Sequence, residues 1–469
     1  MKLTTIIAIF LLLMTFGCKE NSRNSSGENS VHFSSENLGM PVGLHFFENE
    51  YHLFYKYAEN DSMNGLGHLV SEDLVSWEET TPAFEFTSEE QFTSASIVRD
   101  WNNSSGLGNE DNVILAYVLK KDILSVSYSY DLGESWKNWV ENINLDAPVI
   151  GVNDFKVIWN EDAQKWILVL LIDYDVEFYA SDDLRNWEFQ SKFDSESTVK
   201  KGTWAGVEFF PVEYKETTEI KWCLAISTTE GAKNEGLGTQ YFVGNFNDLQ
   251  FSTTDDVKWM DGGTDYYSPV VLSDYLLLNK TPYSIAKINK NPSLTLARSL
   301  FLIKRYNEYF ITSKPVKEIN QLKHKTKQLA AQEFEGKLNI KQRQQLPLEI
   351  SLTFDLNNRI YLDFAEVFGV TFENENQDKL IVGYHNERRY FFIAFNNEIV
   401  FTPCVIEQRE VEIQLIVNDS SLELFVMDGF ISMTKSYSTE TILNQLSLFT
   451  EGGKIALKGA DLTELEGIR

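Results

Sequence analysis

The chain predicts an all-β fold in two domains, a five-bladed β-propeller followed by a C-terminal antiparallel β-sandwich. Three observations point there. Short apolar or alternating runs separated by Asp, Asn and Gly turns fill the chain past residue 30, as at 51–57, 113–118, 166–172 and 222–227. A turn motif returns through the first part at intervals of about 50–60 residues, the spacing of propeller blades. Beyond Leu322 that motif stops and clean alternation takes over.

The turn motif reads Ser71-Glu72-Asp73-Leu74-Val75-Ser76-Trp77 at its first occurrence. It returns as Ser129-Tyr130-Asp131-Leu132-Gly133-Glu134-Ser135-Trp136 and as Ser181-Asp182-Asp183-Leu184-Arg185-Asn186-Trp187. A weaker copy is Gly244-Asn245-Phe246-Asn247-Asp248-Leu249. The Asp is expected to cap a tight turn between outer strands and the Trp to pack between blades, so these tryptophans are structural. Four repeats and the strand-like region 281–311 make five blades. Only residues 314–322 carry a helical period.

The second domain follows from residues 349–354, 390–395, 411–417 and 422–425, which alternate, and from the hairpin signals Asn418-Asp419-Ser420 and Asp428-Gly429. The expected division is a signal segment at 1–18, a flexible tether at 19–33, the propeller at 34–322 and the sandwich at 323–469.

A formal charge of −28 argues against a nucleic-acid partner and against anionic surfaces. No Cys/His spacing resembles a metal site, and nothing calls for a cofactor. Cys223 and Cys404 sit alone in strand-like segments and are expected to be buried thiols. Cys18 differs. Lys2 and the apolar run 6–16 make a signal segment too short to span a bilayer. It ends at Thr15-Phe16-Gly17-Cys18, similar to a bacterial lipobox, and the Ser-, Asn- and Gly-rich stretch 19–30 follows at once. An acylated Cys18 would anchor the protein in the bacterial cell envelope, facing the periplasm or the outside.

Several motifs stand out: Tyr51-His52-Leu53-Phe54-Tyr55-Lys56-Tyr57 with Gly67-His68, Asn153-Asp154-Phe155-Lys156-Val157, the stretch 236–246, and Asp419-Ser420-Ser421-Leu422-Glu423-Leu424-Phe425 with Asp428-Gly429. Together they resemble glycoside hydrolase family 32, the β-fructosidases that cut levan, inulin and sucrose. They fall in family order from about residue 36 onward. The resemblance implies a propeller funnel holding three carboxylates. One is a nucleophile and one a proton donor with a raised pKa, set about 5–5.5 Å apart in retaining enzymes. The third binds hydroxyls of the fructosyl ring.

Only the third survives the comparison. The turn that carries the nucleophile reads Asn37-Leu38-Gly39-Met40-Pro41-Val42-Gly43, placing Met40 there. The acid/base segment reads Trp204-Ala205-Gly206-Val207-Glu208, placing Ala205 there. The ring-binding acid is retained as Asp154, with Asn153 in place of its Arg neighbour, Lys56 in place of a Gln and Leu66 in place of a Trp. Phe92-Thr93-Ser94 matches a segment whose hydroxyl lines the first sugar subsite, so Phe92 and Ser94 join the candidate binding residues. Asp265, in a segment bordering the funnel, joins them with Trp204 and Glu208. Met40 has two readings, a plug at the funnel mouth or an apolar platform for a sugar face.

The leading expectation is a lipoprotein that recognises an oligo- or polysaccharide, fructan first, without hydrolysing it. Two rivals stand beside it. One is an active glycosidase with relocated carboxylates, Glu208 or Asp265 among them. The other is a structural or protein-interaction module whose funnel is closed by Met40, Phe155 and Leu66. Fold alone does not choose among the three. For the anchor, Cys18→Ala is expected to move the protein from the membrane fraction to the soluble one. A variant that stays with the membranes would refute lipidation.

Overall fold

The computed structural model describes residues 30–468 apart from 60–61, 88–89, 91, 109–112, 147–149 and 341–344. Cys18 and the segment before Ser30 lie outside the described residues. Five blades come first, each a sheet built from one contiguous stretch of chain and antiparallel except where Asn144–Leu145 pairs parallel with Asn186–Trp187 in the third. Their innermost strands are Leu38–Phe47, Phe92–Arg99, Val152–Asn160, Trp204–Tyr214 and Tyr266–Val271. The fifth blade ends at Pro315, and a 3-10 turn at Lys317–Leu322 replaces the longer helical stretch that the sequence suggested.

The repeated motif builds the turn between the third and fourth strands. Asp73 Oδ1 accepts from the N–H groups of Val75 and Ser76 at 2.8 and 2.7 Å, and Asp183 Oδ1 accepts from those of Arg185 and Asn186 at 3.0 and 2.8 Å. The leucine after each Asp takes a left-handed backbone, with φ of 65° at Leu74, 59° at Leu132 and 65° at Leu184. The capping bonds hold that unfavourable conformation in place. Each following Trp packs on a neighbouring blade. Trp136 meets Phe54 and Phe84 of the first blade, and Trp187 meets Tyr117 of the second.

The sandwich begins at Lys323. Its two layers share one long strand, Gln445–Leu465. The first part of that strand pairs with Val367–Glu373 and the second with Leu348–Asp355. The strand turns from one layer to the other at Gly452 and Gly453, whose φ values of 70° and 148° favour glycine. One apolar core, including Leu352, Phe354, Phe368, Val382, Leu415 and Leu448, fills the space between the layers.

The propeller and sandwich meet at Arg298, which is fully buried. Its guanidinium donates to Glu423 Oε2 at 3.0 and 2.5 Å, to Asp261 Oδ2 at 2.9 Å and to Thr434 Oγ1 at 2.6 Å. Glu423 also meets His32 Nε2 at 2.7 Å. This corrects the end of the expected tether. From Ser30 the chain is held, with Val31 and His32 buried, Val31 N–H donating to Asn418 Oδ1 at 3.0 Å, and Leu294 N–H donating to Phe33 O at 2.9 Å.

Burial alone would raise the Glu423 carboxyl, but Arg298 and His32 outweigh it and hold it at about 2. Arg298→Met leaves Glu423 and Asp261 buried without their cation. It is expected to cost about 3–5 kcal/mol, read as a fall in the urea midpoint at pH 7. A depressed carboxylate stabilises the fold above its unfolded value and loses that contribution as pH falls through the folded one. The gap between wild type and variant is therefore expected to shrink as pH falls from about 4.5 towards 2.

Candidate functional site

The innermost strand of every blade breaks register near its first residues, at one end of the propeller. The breaks lie between Leu38 and Pro41, Phe92 and Ser94, Val152 and Asp154, Trp204 and Gly206, and Tyr267 and Val270. These are β-bulges, devices that re-aim a side chain out of the regular pleat. The displaced residues are Met40 with Gly39, Thr93, Asn153, Ala205, and Ser268 with Pro269. Met40, Thr93, Asn153 and Ala205 are each partly exposed beside largely buried neighbours, so the bulges ring a funnel. Gly39 is required by close packing, because a Cβ there would lie 2.2 Å from the carbonyl oxygen of Lys56. Ser268 adopts a φ of 47°, a left-handed strain at the fifth bulge.

Below the ring the floor is charged and tightly filled. Asp154 Oδ1 accepts from the Ser94 hydroxyl and Oδ2 from the Val207 N–H at 2.8 Å, which ties the second, third and fourth blades together. Burial pushes the Asp154 carboxyl up, opposed by the charge of Lys56 and by these hydrogen bonds. Burial likewise lowers Lys56, opposed by Asp154. One level deeper, Lys156 Nζ pairs with Glu208 Oε1 at 2.9 Å, both side chains almost fully buried. Burial raises Glu208 against the opposing pull of Lys156. A cavity of about 10 Å³ lies among Lys56, Asp154, Lys156, Glu208 and Ser268, room for one water at most.

The sequence matches the Glycosyl hydrolases family 32 N-terminal domain over residues 32–296 and the Glycosyl hydrolases family 32 C terminal over residues 314–464. The chain belongs to glycosyl hydrolase family 32. It is 26% identical to a levanase of Bacillus subtilis (strain 168), covering 100% of this chain and 75% of the relative. It is 25% identical to a levanbiose-producing levanase of the same organism, covering 99% and 97%. The fold is similar to the crystal structure of exo-inulinase from Aspergillus awamori, with a TM-score of 0.81 at 22% identity over 94% of this chain and 98% of that one.

The family motifs can now be placed. Met40 and Ala205, where the resemblance sets the nucleophile and acid/base, stand on the bulges of the first and fourth blades. Asn153 stands on the third, with Asp154 directly below. Ser94 is fully buried and reaches Asp154. The other candidates are wall or floor. Phe92 packs against Phe86 with ring centroids 5.1 Å apart. Trp204 is buried, with Nε1 donating to Val199 O at 3.0 Å. Glu208 is committed to Lys156. Asp265 turns to the sandwich, where its Oδ2 accepts from the Ser436 N–H at 3.1 Å and from the Thr264 hydroxyl at 2.8 Å.

Leu66 is fully buried among the residues between the first and second blades, so it does not close the funnel. Phe155 packs between the second and third blades and reaches the floor cavity from below the ring. Lys56 and Lys156 belong to the site but were not among the sequence candidates. The available signal was a lysine beside bulky apolar residues in a strand-like run, at Phe54-Tyr55-Lys56 on the second strand of the first blade and at Phe155-Lys156-Val157 on the innermost strand of the third. Among the described residues no three His, Cys, Asp or Glu side chains group as metal ligands.

Asp154→Ala would leave Lys56 buried near no counter-charge and the Val207 N–H without its acceptor. A loss of about 3 kcal/mol in unfolding free energy is expected. Adding Lys56→Met should recover part of that loss, because the second change removes the stranded cation. A double-mutant cycle by urea denaturation measures the coupling, and strict additivity would separate the two residues.

Proposed function

We propose that this protein recognises fructans or closely related saccharides through the propeller funnel and does not hydrolyse them. Two bulges carry the proposal. Fructoside cleavage needs a carboxylate at the anomeric carbon and a proton donor at the leaving oxygen. The bulges of the first and fourth blades, where the family resemblance sets those groups, carry Met40 and Ala205. A thioether and a methyl group can neither ionise nor donate a proton. A saccharide ligand is supported by the levanase relatives and by the part-exposed bulge residues around the funnel. Lipidation at Cys18 would hold the funnel at the surface of a membrane in the cell envelope.

A relocated catalytic pair has little to draw on. Glu208 is paired with Lys156, and Asp265 is bound to the sandwich backbone. Either would have to abandon a buried partner to reach a substrate, at a cost of several kcal/mol.

The test is direct. Wild type is expected to bind levan or inulin in affinity electrophoresis and to release no fructose from levan, inulin or sucrose. Steady fructose release by wild type would overturn the proposal. Met40→Asp and Ala205→Glu are each expected to remain silent, because the two groups act in one mechanism and are not additive. The pair is the smallest change that restores both groups.

A further inference from the structure

We propose a second saccharide-binding surface, on the outer face of the sandwich layer that reaches the funnel rim. It would hold the part of a fructan chain that extends beyond the funnel. The inference rests on the saccharide reading above and adds a location, a ligand length and residues to it.

Six strands of that layer line up one residue from each in a single row. The pairings run Phe401 to Phe392, Phe392 to Gly383, Gly383 to Gly369, Gly369 to Phe449, and Phe449 to Lys337. Residues directly opposite one another share a face of the sheet. The alternate residues Val400, Phe391, Ile393, Val382, Phe368, Val370 and Leu448 all belong to the sandwich core, so the row faces outward. Phe401 is 44% exposed and its neighbour Ile399 64%. Tyr390 joins from the adjacent row, with its ring 5.4 Å from Phe401 and 6.1 Å from Phe392.

The middle of the row is flat because it is glycine. A Cβ on Gly383 would come within 2.7 Å of the Phe392 ring, so that ring lies over the strand. Beside it is a groove of about 290 Å³ lined by Thr371, Ile381, Ser447, Phe449 and Lys337. Strands stand about 4.8 Å apart, so the row from Phe401 to Phe449 spans about 19 Å.

The chemistry of the row selects its ligand. The rings are flanked by the charged pairs that Glu373 makes with Lys337 at 2.8 Å and with Lys379 at 3.0 Å. Sugars offer apolar C–H faces to rings and hydroxyls to polar neighbours. A continuous apolar partner would bury those charges without satisfying them.

The funnel supplies the second argument. Phe401 lies on the edge strand Glu398–Pro403, which the propeller itself caps. Asn234 accepts from the Phe401 N–H at 2.9 Å and donates to its carbonyl at 3.0 Å, and it also donates to Gly262 O at 2.8 Å. Asn234 lies in the loop between the fourth-blade strands Glu219–Thr228 and Gly238–Asn247. Thr228 pairs with Trp204, the residue before Ala205. One rim loop thus runs from the fourth bulge to the start of the aromatic row.

The double variant Tyr390→Ala with Phe401→Ala removes two rings that reach solvent. Full-length wild type and variant are compared for binding to high-molecular-weight levan and to a fructan trisaccharide, with thermal melts to confirm folding. Phe401→Ala alone is the second variant should the pair melt early. Wild type is expected to prefer the polymer. The variant is expected to lose about tenfold in polymer affinity, the scale of one to two aromatic contacts, and nothing for the trisaccharide. If wild type binds both ligands equally, or if the variant binds polymer as well as wild type, the surface is refuted and the funnel reading stands. If wild type binds neither ligand, the funnel reading falls and this proposal falls with it.

Discussion

Five inner strands converge on one axis, and the charges buried there must be paired. That constraint organises the site. Asp154 accepts from the second and fourth blades and neutralises Lys56 of the first. Glu208 pairs with Lys156 of the third blade and accepts from the Val271 N–H of the fifth. Each carboxylate therefore joins its own blade to others, in an interior where an unpaired charge costs several kcal/mol. The same constraint distinguishes Asp154 from Met40 and Ala205. Asp154 cannot be lost without leaving groups in three other blades unsatisfied. Met40 and Ala205 stand on bulges at the funnel, and neither carries a charge that a buried group must match. Asp154 thus has a structural role in the fold before any ligand is considered.

The propeller ring is closed by apposition rather than by an exchanged strand, since each described blade sheet is contiguous in sequence. Leu44 of the first blade bridges Leu272 of the fifth, and the Ser273 N–H donates to Leu44 O at 2.9 Å. Residues 30–35 reinforce that seam, since Ser34 bridges Ser293 while His32 reaches Glu423 of the sandwich. Arg298 completes the junction from the fifth blade. Its guanidinium lies between the rings of Tyr266 and Phe425 at 4.5 and 4.9 Å, one from each domain. Held this way, the sandwich edge and the fourth-blade rim keep a fixed relation, which a shared saccharide track requires.

Local chemistry was legible in the sequence. The Ser-x-Asp-Leu turns were readable because their capping bonds span only a few residues, from Asp73 to Ser76 and from Asp183 to Asn186. The tryptophans that follow them were readable as structure for the same reason. Alternation set the sandwich apart, and the family resemblance pointed to Met40, Asp154 and Ala205. These features, with the all-β class and five blades, are determined by the sequence itself.

Tertiary structure decided the rest, because the deciding contacts join residues far apart in the chain. Asp265 looked like a funnel acid until its partner proved to be Ser436, and Glu208 looked available until Lys156 reached it. Ser30 to Phe33 looked like tether because they continue the Ser-, Asn- and Gly-rich stretch, and nothing local tells of Asn418 and Glu423, nearly 400 positions away. The bulges show in sequence only as Gly39 and Gly206, glycines with many other possible causes. The aromatic row cannot be read from the chain, since Phe449 comes into line with Phe392 and Phe401 only when the register of five strands is set. A sequence carries the period of each strand, but register between distant strands is a property of the folded sheet.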